Sequence, residues 1–135
     1  MSKILIVDDE VGIRELLSEI LRDEGHDVVL AENAASAKVI RAETQPDLIL
    51  LDIWMPEVDG ISLLKEWAAH GQLNVPVVMM SGHATIDTAV EATRICALDF
   101  LEKPIGMQKL LQTVKKALAD KKIPTSLKTR IFAHH

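Results

Sequence analysis

Cysteine is almost absent. Cys96 is the single one in 135 residues, which excludes an internal disulfide and any cysteine-based zinc site. Aromatics are limited to Trp54, Trp67, Phe100 and Phe132, too few for a platform on which bases stack. Positive charge is also in deficit: 15 Lys and Arg face 20 Asp and Glu, for a net charge of −5. A sequence-independent nucleic-acid binder needs the opposite balance. No apolar run approaches the roughly 18 residues of a membrane span. After four apolar residues the N-terminus runs into Asp8-Asp9-Glu10, which is not the pattern of a secretory signal. The expectation is a soluble cytoplasmic domain with neither nucleic acid nor membrane as its partner.

What is present suits one packed domain, with 48% hydrophobic and 26% charged residues at an ordinary single-domain length. The charge is uneven. Residues 1–119 carry 11 basic and 19 acidic side chains, net −8, and residues 120–135 carry four and one, net +3. The division expected is a globular domain over 1–119 and a basic tail or linker remnant over 120–135, where Pro124 sits and apolar periodicity is lost. His134-His135 is either native or left from an expression tag.

Five short apolar runs alternate with five helix-like stretches. Ile4–Val7 precedes Ile13, Leu16, Leu17, Ile20 and Leu21, spaced as on one face of a helix that Gly25 would close. Val28–Leu30 precedes an alanine-rich helix over about Ala34–Glu43, and Leu48–Leu51 reads as a strand buried on both faces. A turn with Pro56 and Asp59-Gly60 leads to a third helix holding Leu63, Leu64 and Trp67. Val75–Met80 precedes a fourth helix over about Ile86–Ala97, and Phe100-Leu101 precedes a fifth over about Met107–Ala119. Strict alternation implies parallel strands with crossover helices. The fold class expected is α/β, a doubly wound (βα)5 flavodoxin/CheY-like domain. Its five-stranded parallel sheet would have the order 2-1-3-4-5 and helices on both faces.

Ligands of such a sheet sit beyond the C-terminal strand ends, where strand order reverses. The residues ending the runs are Asp8-Asp9, Asp52, Ser81 and Lys103-Pro104. Each alone is ordinary cap, turn or surface chemistry. Together, three carboxylates repel one another unless a cation relieves them, and a hard divalent ion such as Mg2+ is the simplest one. Lys103 opposite them would face an anion. The chemistry implied is phosphoryl transfer, in which a carboxylate is the nucleophile and the protein supplies positioning and cations. Asp52, alone at the end of the central strand, is the candidate nucleophile. Asp9 would ligate Mg2+ directly and Asp8 directly or through water, while Ser81 and Lys103 would each hold a phosphoryl oxygen.

The segments Val7-Asp8-Asp9-Glu10, Asp52-Ile53-Trp54-Met55-Pro56 with Asp59-Gly60, Met80-Ser81-Gly82 and Asp99 through Pro104 together resemble a receiver domain of bacterial two-component response regulators. The resemblance covers residues 1–119 in order, spacing and strand-end placement. It implies a sensor histidine kinase that passes phosphoryl from phosphohistidine to Asp52, a requirement for Mg2+, and a cis Lys103–Pro104 bond. It also implies a switch in which the Ser81 hydroxyl moves inward and Phe100 follows, changing the surface of the fourth helix, fifth strand and fifth helix. A two-component receiver is not a turnover enzyme; its chemistry is Mg2+-dependent self-phosphorylation and self-dephosphorylation on Asp52 only. The stretch from Ser81 to Arg94 is similar to receivers of the NtrC and NtrX type, transcriptional regulators in which an ATPase and a DNA-binding domain follow. Neither is found in this sequence. The apolar faces of the fourth and fifth helices could join two copies in a homodimer or simply face the core.

Trp54 would add its backbone carbonyl to the metal set, and its ring would restrict the water that removes phosphate. His83, two residues after Ser81, is a second candidate modulator of phosphate lifetime. Cys96 departs from the family pattern, which has glycine there. Three other readings compete. A haloacid-dehalogenase-type phosphatase wants an acid two residues after its nucleophile, where Trp54 stands. A flavin binder wants a Gly- and Ser-rich phosphate loop, where Asp8-Asp9-Glu10 would repel phosphate. An interaction module with a decayed site would lack key groups that are all present.

Overall fold

The computed structural model describes residues 2–72, 74–82, 90–91, 94 and 97–121. Five strands form one sheet: β1 (Lys3–Val7), β2 (Asp27–Ala31), β3 (Leu48–Asp52), β4 (Val77–Ser81) and β5 (Asp99–Glu102). Their order is β2-β1-β3-β4-β5 and every pairing is parallel, as the alternation predicts. The helices are α1 (Val11–Asp23), α2 (Ala34–Thr44), α3 (Gly60–Ala69) and a C-terminal helix (Met107–Lys121). Of the fourth expected helix, Val90, Glu91 and Arg94 are helical. His83, Cys96, the tail from 122 and most of that helix lie outside the described residues.

Side chains alternate across the sheet with period two. Leu5, Val7, Ile49, Leu51, Val77 and Met79 face α2 and α3, meeting Ala37, Leu63, Leu64 and Trp67. Ile4, Ile6, Leu48, Leu50, Val78 and Met80 face the other way, onto Leu17 and Leu21 of α1 and onto Leu110, Val114 and Ala117 of the C-terminal helix. All five residues of β3 and of β4 are buried, which is why those runs show no polar alternation.

Local signals set the boundaries. Gly25 takes φ 90° after α1, and its N–H donates to Arg22 O at 2.9 Å, a left-handed turn that glycine enters without strain. At the start of α2, Asn33 Oδ1 accepts from Ser36 N at 2.8 Å while Ser36 Oγ accepts from Asn33 N at 3.3 Å, a reciprocal cap. β4 begins at Val77, two residues later than the apolar run suggests, because Pro76 has no N–H for the ladder; its carbonyl still accepts from Ile49 N at 3.0 Å.

Candidate functional site

Asp8, Asp52, Ser81 and Lys103 arrive together because the C-terminal ends of β1, β3, β4 and β5 are adjacent in the sheet. Asp8 follows β1 and extends its pairing, donating N–H to Ala31 O at 3.1 Å. Arg14 Nη1 donates to its carbonyl at 2.7 Å, and Asp8 Oδ1 accepts from Glu10 N at 2.9 Å. The β1–α1 loop is therefore tied on both sides of the carboxylate. Asp52 ends β3 beside Met80 and is buried. Ser81 ends β4, fully buried, and its carbonyl accepts from Lys103 N at 2.9 Å. The Lys103–Pro104 peptide is cis, as the sequence resemblance implied.

Lys103 gathers the acids. Its Nζ lies 2.7 Å from Asp8 Oδ2, 3.1 Å from Glu10 Oε1 and 3.4 Å from Asp52 Oδ1. The contact with Asp8 is the shortest of the three and pairs the ammonium with a fully buried carboxylate. Burial pushes the Asp52 pKa up to about 7, the charge of Asp8 adds to the rise, and Lys103 offsets it only in part. Burial works against the Lys103 ammonium too, but the nearness of Asp8, Asp52 and Glu10 outweighs it and raises the pKa above the ordinary lysine value.

Asp8, Asp9 and Glu10 can each turn a carboxylate oxygen to within 4.8 Å of the others. Asp9 and Glu10 are exposed there, at the mouth of the site, while Asp52 joins Asp8 through Lys103. Trp54 is half exposed and lines a cavity of about 280 Å3 with Ile53, Asp59, Lys65 and Glu91. Phe100 is partly buried against the α2–α3 side of the core. Two larger cavities, about 930 and 900 Å3, open instead near residues that precede the strands, such as Ser2, His26, Pro46 and Val75. They are remote from this carboxylate–ammonium cluster.

Two contributors escaped the sequence reading. Glu10 was visible only as the third acid of its run, with nothing to show that it reaches Lys103. Gly60 looked like turn chemistry, yet a Cβ there would fall 2.0 Å from Asp52 O. Its N–H donates to Ile53 O at 2.8 Å, so the start of α3 packs directly on the backbone of Asp52.

The family model of the response regulator receiver domain matches residues 4–115. The chain belongs to that family. Regulatory protein AtoC of Escherichia coli is 41% identical over 118 residues, 87% of this chain and 25% of its own length. The crystal structure of the receiver domain of NtrX from Brucella abortus superposes with a TM-score of 0.81 at 45% identity, covering 86% of this receiver and 98% of that chain. NtrX from the same organism in complex with ATP gives a TM-score of 0.83 at 43% identity, covering 96% of this receiver but 29% of that chain. The receiver thus spans about a quarter of the curated relatives it matches. Among the described residues no helix is long and apolar enough to cross a membrane.

Receiver domains bind Mg2+ in an acidic pocket, and the residues here fit that ion. The donors are hard carboxylate oxygens, and Asp8, Asp9 and Glu10 offer one each within 4.8 Å of one another.

Proposed function

We propose that this receiver accepts a phosphoryl group on Asp52 from the phosphohistidine of a sensor kinase. The observation that carries the reading is the meeting of a buried strand-end carboxylate with an ammonium 3.4 Å away and a second buried carboxylate behind it. Asp52 Oδ attacks phosphorus in line as the P–N bond breaks, and the departing imidazole keeps the electron pair and takes up a proton. Asp8 and Asp9 would hold Mg2+ with Asp52 and the Trp54 carbonyl. Once bound, the ion neutralises charge on the nucleophile and on the phosphoryl oxygens. Lys103 supplies the fixed cation on the opposite side and Ser81 a hydroxyl donor at the end of β4. Hydrolysis of the acyl phosphate by water returns Asp52, with the Trp54 ring restricting that water and His83 a second candidate modulator of phosphate lifetime.

The new dianion biases a two-state surface. Ser81 and Phe100 transmit the change to the face formed by β5, the C-terminal helix and the segment before β5. In the full-length protein this face controls an ATPase and DNA-binding output in the cytoplasm, with 1–119 as the receiver and 120–135 as a basic tail or linker remnant. Incubation with acetyl phosphate and Mg2+ tests the reading. A phosphoryl mass increment is expected in the wild type and not in Asp52→Asn, whereas turnover of many equivalents of a phosphate ester would make the chain a phosphatase.

A further inference from the structure

We propose that Glu10 is a positioning residue that tethers the Lys103 ammonium in the unphosphorylated receiver and releases it when phosphoryl arrives. The inference rests on the assignment of Asp52 as phosphoacceptor. Glu10 stands at the N-cap of α1, where a carboxylate ordinarily bonds the first turn, but it makes no side-chain cap hydrogen bond. It reaches out of its own element instead, and Oε1 accepts from Lys103 Nζ at 3.1 Å.

Donor number makes this contact consequential. An ammonium has three N–H groups, and three carboxylates already face this one at 2.7, 3.1 and 3.4 Å. Asp52 itself carries the phosphoryl group, whose oxygens, more numerous and more charged than the carboxylate they replace, compete with Asp8 and Glu10 for these donors. The side chains of Asp8 and Asp52 are 0% and 3% exposed, and that of Glu10 is 62% exposed. Water can replace Lys103 around Glu10 and cannot do so around buried Asp8, so Glu10 is the partner released. It competes with the incoming phosphoryl for Lys103 and sets how readily the receiver enters its phosphorylated state.

The test titrates the chain with beryllofluoride, a phosphoryl mimic, in the presence of Mg2+ and reads backbone amide shifts. Glu10→Gln is expected to tighten binding about two- to fivefold, the range of a partly exposed ion pair. Deleting a negative charge also attracts an anion directly, so the comparison is repeated in Lys103→Gln, where the gain is expected to vanish. An unchanged affinity in Glu10→Gln overturns the tether, and so does a gain that persists without Lys103. A crystal structure of metal-free Glu10→Gln supplies a measurement that needs no second substitution. Nζ should lie closer than 3.4 Å to Asp52 Oδ1, and an unmoved Nζ overturns the proposal. Acetyl phosphate labelling of the wild type runs in parallel. No label at Asp52 refutes the phosphoacceptor assignment itself, and a labelled wild type with an unmoved variant refutes the tether alone.

Discussion

Burying Asp52 beside Asp8 opposes its ionisation more than Lys103 relieves it, and the pKa near 7 has a consequence for stability. The unfolded chain ionises the same group near pH 4, so between about pH 4 and 7 the folded state holds the extra proton. Stability from this residue is therefore present at low pH and lost as pH rises through 7. In metal-free protein Asp52→Asn should raise Tm by a few degrees at pH 8 and leave it nearly unchanged at pH 5, read by calorimetry. Gly60 offers a second test at this scale. A methyl group 2.0 Å from Asp52 O must displace the β3–α3 loop, and Gly60→Ala should destabilise by about 2–4 kcal/mol. Because the displaced atom belongs to the backbone of Asp52, acetyl phosphate labelling should slow as well. Labelling at the wild-type rate would show that the loop shift leaves the carboxylate in place.

Between elements, Arg41 joins α2 to the segment after α3. Its guanidinium lies 4.6 Å from the centroid of buried Trp67, and Nη2 donates to Gln72 O and, at 3.2 Å, to Asn74 Oδ1. Arg41→Ala should cost about 2–3 kcal/mol in chemical denaturation. Arg41→Lys should recover little of it, because an ammonium lacks the planar fork that stacks and bonds together. Phosphorylation of Asp52 should be spared in both, since Arg41 lines the cavity remote from the acidic cluster. None of this was legible in the sequence, where Arg41 is one cation in a polar stretch. The strands were legible, because runs such as Leu48–Leu51 are buried on both faces and alternate with helical spacing. Asp8, Asp52 and Lys103 followed from the rule that places chemistry at strand ends. Glu10 and Gly60 did not, because their roles depend on distances between β1, β5 and α3 that no local period encodes. The start of β4 was misplaced by two residues for a simpler reason, the missing N–H of Pro76.

At the scale of the whole chain, a net charge of −5 includes an acidic cluster held at one end of the sheet. Asp8 is fully buried with Lys103 as its ion partner, but the clustered carboxylates outnumber that one ammonium, and their repulsion costs stability unless a further cation offsets it. Because the cluster exists only in the folded state, Mg2+ binding is linked to folding, with stabilisation of about 1.4 kcal/mol at ten times Kd. Mg2+ should therefore raise Tm by several degrees with saturation, and a chelator should reverse the shift. Asp8→Asn and Asp9→Asn should each weaken the Mg2+ response, although Asp8→Asn also leaves Lys103 short of its nearest partner and lowers Tm in the absence of metal. Mg2+ should also bring the Asp52 pKa down, since a nearby cation favours the carboxylate. The fall in Tm between pH 5 and 8 should then flatten in Mg2+ relative to chelator. A Tm that ignores Mg2+ at pH 8 in the wild type would remove the cation from this site and leave Lys103 as the sole counter-charge.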